Sequence, residues 1–296
     1  MDISGSLCAI VTPFGADGAL DLAAFGRLLD YQLAGGTQGI VVAGSTGEAH
    51  MLDEREYAEL LTFALERVAH RVPVIVGAGE AATAKTVAAV RRAKALGADA
   101  ALVVTPYYVR PTQDGLRRHF SEVAEHGGLP IVMYNVPSRT GCDMRPETVA
   151  GLRDTAGVIG IKEAVGTPAR IAALAQLPRP GFVYLSGDDG SAADAMLAGA
   201  GGVVSVVNNL VPKAFRALCD AARGGKRTAV AEHKARFQPL LEALNCAPNP
   251  IPVKAGLAGL GLCAARLRLP LVELAAGPAR ARLEAAVASL AGVTTP

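Results

Sequence analysis

The chain has 296 residues, 51% of them hydrophobic and 19% charged, which is enough to bury one large core or two modest ones and reads as an enzyme-sized globular protein. Its 29 basic and 27 acidic residues leave a formal net charge of +2, spread without long blocks, so no electrostatic footprint for nucleic acid or an anionic membrane is present. Five widely spaced cysteines with no C-x-x-C pair read as reduced, mostly buried thiols. The start MDISGSLCAIVTPF has no basic region ahead of an apolar stretch, so secretion and membrane insertion are not expected and a cytoplasmic location is.

Short β-branched runs recur along the chain, each followed by an amphipathic helical stretch, the alternation of parallel β/α architecture. Eight runs are predicted as strands: Leu7 to Val11, Ile40 to Ala43, Val74 to Gly77, Ala101 to Val104, Ile131 to Asn135, Val158 to Lys162, Val183 to Ser186 and Gly202 to Val206. Asp21, Asp53, Thr83 and Asp114 stand where helices should start, and Gly35, Gly97 and Gly127 where they should stop. Eight strand-helix units occupy roughly 225 residues, the size of a (β/α)8 TIM barrel. The reading is therefore an α/β protein with a barrel over residues 1–225 and a C-terminal helical extension over 226–296, of two or three helices packed on the barrel. An open doubly wound sheet would want G-x-G-x-x-G after its first strand, and Leu7 to Gly18 contains none.

In a barrel, chemistry collects at the C-terminal strand ends. Lys162 closes the apolar run Val158-Ile159-Gly160-Ile161, and an ammonium there needs a chemical reason. At an ordinary pKa of about 10.4 only about one amine in a few thousand is free at neutral pH, so a nucleophilic role requires desolvation or a neighbouring cation. The strand-two end, Gly44-Ser45-Thr46-Gly47-Glu48, combines exposed N–H groups and two hydroxyls suited to a small anion; such a sequence is also an ordinary turn. Tyr134, ending Ile131-Val132-Met133, serves equally as a core tyrosine or a proton carrier. Arg139 lies in a Pro/Ser/Gly loop where a guanidinium is either solvated or clamps a carboxylate. The five histidines are scattered without ligand spacing, so metal catalysis is not expected. Asp188-Asp189 reads as an N-cap for a helix over Ser191 to Leu197, and Lys254, in Asn249-Pro250-Ile251-Pro252-Val253-Lys254, as packing in the tail.

Taken in order, AIVTPF, GSTGE, VTPYYVRPTQDG, YNVPSRTG, GIKEA, SGDD, GVVSV and PNPIPVK resemble the dihydrodipicolinate synthase family, within the pyruvate-dependent class I aldolases that include N-acetylneuraminate lyase. The resemblance spans essentially the whole chain. It implies a Schiff-base lyase, without cofactor or metal, that condenses pyruvate with aspartate semialdehyde in diaminopimelate and lysine biosynthesis. By it, Lys162 forms the Schiff base, Tyr134 moves protons beside it, and Ser45 and Tyr108 complete a relay, Tyr108 reaching in from a neighbouring subunit. Thr46 and Val204 contact pyruvate, Gly187 helps form the pocket, and Arg139 holds the aldehyde's carboxylate. The implied assembly is a homotetramer, a dimer of dimers. By the resemblance, Arg139-Thr140-Gly141 favours this activity over sialic acid lyases and sugar-acid aldolases. The nearest alternative is a pyruvate aldolase for another short aldehyde, such as a hydroxy-oxoglutarate or keto-deoxy-sugar-acid aldolase, which rates with different aldehydes would separate. Lys162, Tyr134 and Arg139 together argue against a non-catalytic ligand-binding relative. Ser45 departs from the family's usual threonine, keeping the hydroxyl and losing the methyl that restricts χ1. At the family's lysine-feedback site Tyr107 matches, whereas Glu54, Ala81 and Lys85 do not, and a cationic Lys85 facing a ligand ammonium would make inhibition by lysine weak or absent.

Overall fold

In the computed structural model, which describes residues 2–291, eight parallel strands pair in chain order and close into a barrel. They are β1 (Gly5–Ala9), β2 (Gly39–Val42), β3 (Val74–Gly77), β4 (Ala100–Val104), β5 (Ile131–Asn135), β6 (Val158–Glu163), β7 (Val183–Ser186) and β8 (Gly202–Ser205). Each lies within two residues of its expected span. Side chains alternate between two hydrophobic clusters. Leu7, Val41, Ile75, Leu102, Val132, Leu185 and Val204 fill the lumen, while Cys8, Ile40, Val42, Ile131, Met133 and Val203 meet the surrounding helices.

One irregularity in this alternation matters for chemistry. Between β5 and β6 the register slips, with Ile131 opposite Val158 but Val132 opposite Gly160, so Ile159 is an extra residue on β6. Val158 faces the helices, and strict alternation from it would turn Lys162 the same way. The slip reverses the phase: Lys162 sits opposite Tyr134 with both facing the lumen, while Ile161 and Met133 face out.

Local sequence chemistry sets several helix ends. Asp53 and Glu56 form a reciprocal capping box for the helix Glu54–Val68, and Asp21 caps Leu22–Ala34 through the Ala24 N–H. Three expectations are corrected. The helix expected to begin at Asp114 spans Gln113–Gly127 and is capped by Thr112, whose Oγ1 accepts from the Gly115 N–H. Gly127 is its last residue, and the left-handed stop is Gly128. Thr83 opens Thr83–Leu96 but does not cap it, because its hydroxyl is paired with Nδ1 of His119.

After the helix Pro212–Arg223 come three more, Arg227–Leu244, Ile251–Gly259 and Pro278–Ala291. Phe237, Leu240, Val253 and Leu283 from these helices share one hydrophobic cluster with the outer face of the barrel. Residues 292–296 of the expected extension lie outside the described residues.

Lys254 is not incidental packing. Both Lys254 and Glu48 have no exposed side-chain surface and are joined as an ion pair, with the Lys254 ammonium also donating to Arg266 O at 2.7 Å and lying 4.3 Å from the Phe14 ring centre. The extension is thereby anchored to the loop after β2. Removing one partner strands a buried charge, so Lys254→Met or Glu48→Leu alone should lower unfolding free energy by about 3–5 kcal/mol in denaturant titrations, whereas the double replacement should cost much less than the sum. Additive losses would contradict this coupling.

Candidate active site

The ends of β2, β5, β6, β7 and β8 surround a cavity of about 390 Å³ at the C-terminal mouth of the barrel. Seven of the eight candidate residues line it: Ser45, Thr46, Tyr134, Arg139, Lys162, Gly187 and Val204. Tyr108 does not. It stands 91% exposed, with left-handed backbone at φ 70°, outside the cavity of its own chain.

Lys162 is only 6% exposed, and its amine lies 4.1 Å from the centre of the Tyr134 ring. Burial lowers its pKa to about 8; Asp189 acts to raise it and Arg139 to lower it further. Roughly one amine in ten is then free at neutral pH, about two hundredfold more than for a solvated lysine. Burial pushes the Tyr134 phenol up to about 12, against the effect of Arg139, with Glu163 raising it and the adjacent Ser45 hydroxyl lowering it. Tyr134 therefore stands as a neutral proton donor beside a partly neutral amine.

The strand ends behind these two groups are tied down on the outer face. The buried Glu163 carboxylate accepts from Asn135 Nδ2 at 3.0 Å, from Arg170 Nη1 at 3.0 Å and from the Val165 N–H at 2.8 Å. Asn135 in turn accepts from the Met144 N–H at 2.9 Å. This network lies on the register positions adjacent to Tyr134 and Lys162, so it fixes both lumenal side chains from the rear.

Gly187 contributes by having no side chain. A Cβ there would lie 3.0 Å from Lys162 Cε, 3.1 Å from its Cγ and 3.2 Å from the Glu163 carbonyl carbon. Its N–H donates to Glu163 O at 2.7 Å, locking the β7 loop against the lysine stem.

Two contributors escaped the reading of the sequence. Asn249 donates from Nδ2 to Thr46 Oγ1 at 2.9 Å, and its carbonyl accepts from Arg139 Nη2 at 2.8 Å, linking two candidate substrate contacts through the C-terminal extension. The prolines flanking Asn249 signal a rigid turn, but nothing local says which side chains it meets. The acidic pair is also divided. Asp188 Oδ2 accepts from the Ser191 N–H at 2.9 Å and from Ser191 Oγ at 2.6 Å ahead of the helix Ala192–Ala198, but Asp189 is no cap: its Oδ2 accepts from the N–H groups of Val206 and Val207, each at 3.0 Å.

A second cavity of about 410 Å³ adjoins the first, sharing Gly44, Ser45, Leu102 and Tyr134. Tyr107 and Glu54 line it, but Ala81 and Lys85 do not. Lys85 is exposed; the cation in this cavity is Arg92, paired with Glu54, and the Tyr107 hydroxyl donates to Glu80 at 2.9 Å. Repulsion from Lys85 therefore gives no reason for weak inhibition by lysine.

Residues 2–289 match the model of the dihydrodipicolinate synthetase family. The chain belongs to that family. It is 56% identical, over 100% of its length and 98% of the relative's, to a 4-hydroxy-tetrahydrodipicolinate synthase of Xanthomonas axonopodis pv. citri, and 45% identical, over 93% and 94%, to one of Methylococcus capsulatus. Among solved structures, the chloride-inhibited dihydrodipicolinate synthase of Acinetobacter baumannii in complex with pyruvate superposes with a TM-score of 0.94 at 38% identity, covering 98% of this chain and 99% of that one. The Thermotoga maritima dihydrodipicolinate synthase superposes with a TM-score of 0.90 at 41% identity, covering 98% and 97%. Membership of the dihydrodipicolinate synthetase family agrees with the closed barrel.

Because the missing side chain at Gly187 makes room for the lysine stem, Gly187→Ala should reduce turnover by about tenfold or more while costing only about 1–3 kcal/mol of stability. Parallel measurement of steady-state rates and thermal unfolding tests this. Unchanged kinetics would show that the close approach is immaterial.

Proposed function

We propose that this chain is a Schiff-base-forming lyase that carries out the reaction of its 4-hydroxy-tetrahydrodipicolinate synthase relatives, condensing pyruvate with L-aspartate 4-semialdehyde on the diaminopimelate route to lysine. The observation that carries this reading is the Lys162 amine, buried at the barrel mouth against Tyr134 with its pKa lowered to about 8.

Neutral Lys162 adds to the keto carbon of pyruvate, and loss of water leaves a protonated imine. That cation draws electrons from the pyruvate methyl, which gives up a proton to form an enamine. The enamine carbon attacks the aldehyde carbon, and cyclisation releases the heterocyclic product. Tyr134 donates and accepts protons in these steps, with Ser45 beside it. Thr46 and Val204 contact pyruvate, Gly187 leaves space for the lysine stem, and Arg139 at the mouth holds the aldehyde's carboxylate as a charge-assisted pair.

Tyr108 completes the relay from a partner subunit in this reading, which is why so large a side chain is so exposed in the single chain. Adjacent Val109 is 57% exposed and extends the same surface. We assign a homotetramer built as a dimer of dimers, working in the cytoplasm, with catalysis in residues 1–225 and support from 226–296. Among the described residues no helix is long and apolar enough to cross a membrane, and no group of three or more His, Cys, Asp or Glu residues is placed to hold a metal ion. The chemistry as written calls on no cofactor.

Reduction with borohydride in the presence of pyruvate, followed by peptide mass mapping, should place a stable adduct on the peptide containing Lys162. An adduct elsewhere, or none, would overturn the reading. The active form is the free amine, so kcat/KM for pyruvate should rise with pH through about 8, not about 10. Tyr134→Phe should lower kcat by about 10²–10⁴-fold. Arg139→Ala should raise KM for aspartate semialdehyde with little change in pyruvate trapping, and comparable wild-type rates with sugar aldehydes would point to a different acceptor.

A further inference from the structure

The Asp189 carboxylate is used by no step above, yet it lines the cavity that contains the Lys162 amine. Its two oxygens are treated differently by the fold. Oδ2 accepts from the consecutive N–H groups of Val206 and Val207 just past the end of β8, each at 3.0 Å, and these bonds hold the carboxyl in place. Oδ1 is buried without a hydrogen-bond partner. A buried carboxylate oxygen left without a partner is costly, and a positive charge on a nitrogen lining the same cavity offsets that cost through space.

The other groups around Asp189 cannot play that part. Cys8 on β1 and Cys219 on the helix Pro212–Arg223 are thiols that burial holds neutral, both also pushed up by Asp189 itself. Asp188 on the same loop carries the wrong sign, and Ser205 on β8 and the two N–H groups are uncharged donors. Arg139 acts on Lys162 from the cavity mouth but is exposed and bound to Asn249 O. Tyr134, opposite Lys162, is neutral well above physiological pH.

We propose that Asp189 is the counter-ion of the positive charge that forms on the Lys162 nitrogen when the imine is made. The assignment rests on the Schiff-base reading above and adds a positioning residue to it. Burial raises the Asp189 carboxyl and lowers the Lys162 ammonium, while Asp189 acts to raise Lys162, so the two groups already interact through their charges before substrate arrives. Imine formation then balances inside the cavity. The Lys162 ammonium gives up a proton to become the nucleophile, and that proton returns as the carbinolamine loses water. Ammonium plus ketone thus becomes protonated imine plus one water, with the positive charge on the same nitrogen facing the Asp189 carboxylate. No net charge is created in a region poor in water, and hydrolysis of the imine regenerates the Lys162 ammonium.

Asp189→Asn tests this, because the amide oxygen can still accept from Val206 and Val207 while the negative charge is lost. Borohydride trapping of the pyruvate adduct, read by intact mass from about pH 6 to about pH 10, reports the protonated imine, whose fraction falls as pH rises through its pKa. Without the counter-ion that alkaline limb should move down by about one pH unit, and half-saturation by pyruvate should rise about tenfold at neutral pH. Asp189→Glu, which keeps the charge, should stay close to the wild-type limb. If the amide variant does not fold, as judged by thermal unfolding, Asp189→Ser is read in the same way. A neutral, folded variant whose trapping profile superimposes on the wild type would overturn the proposal. Failure of the wild type to trap pyruvate at any pH would instead remove the Schiff-base reading on which it rests.

Discussion

The structure is organised around the cost of taking one amine out of water. An ammonium buried in a barrel mouth loses hydration worth several kcal/mol, and that loss lowers the pH at which the group gives up its proton to about 8. In the proposed role, Lys162 is reactive for the same reason that it is expensive to bury. The surrounding features keep it there: the register slip at Ile159 turns the side chain into the lumen, Gly187 leaves its stem unobstructed, and the Glu163, Asn135 and Arg170 network pins the two strand ends from outside. Each acts on geometry, and together they leave the amine against Tyr134.

The C-terminal extension belongs to the same problem. Its contacts reach the loop after β2 and the elements beside it: Asn249 holds Thr46, Lys254 holds Glu48, and Arg268 donates to Gly18 O in the loop after β1, to Met51 O and to the Glu56 carboxylate on the helix Glu54–Val68. Glu48 has left-handed backbone at φ 54°, a conformation that L residues rarely adopt, and its carboxylate also accepts from the Arg268 N–H. A loop carrying Ser45 and Thr46 in so particular a shape needs partners from outside the barrel, and the extension supplies them.

How much of this is legible in the sequence follows from how local each cause is. The eight strands are legible because a parallel strand covered on both faces reads as a run of β-branched residues, and their ends deviate by no more than two residues. Lys162 and Tyr134 are legible as polar groups closing such runs. Their shared direction is not, because it depends on one extra residue in a register that only the paired strands define. The Glu48–Lys254 pair and the Asn249–Thr46 bond join residues remote in sequence, and a proline-rich turn says only that the chain is stiff. Asp188-Asp189 misleads because an acidic pair before a helix suits capping, whereas only Asp188 turns toward the helix and Asp189 is drawn to the backbone after β8. Tyr108 is named by the motif that contains it, and its place outside its own chain's cavity cannot be read from that motif.

The most direct test of the account is the titration of the Lys162 amine itself. Heteronuclear NMR of protein labelled at lysine Cε and Nζ, with the resonance assigned by its loss in Lys162→Met, should show that group titrating near pH 8 in the absence of substrate. Titration above about pH 10, as for a solvated lysine, would mean that the barrel mouth does not desolvate the amine, and the physical basis offered for its reactivity would be wrong.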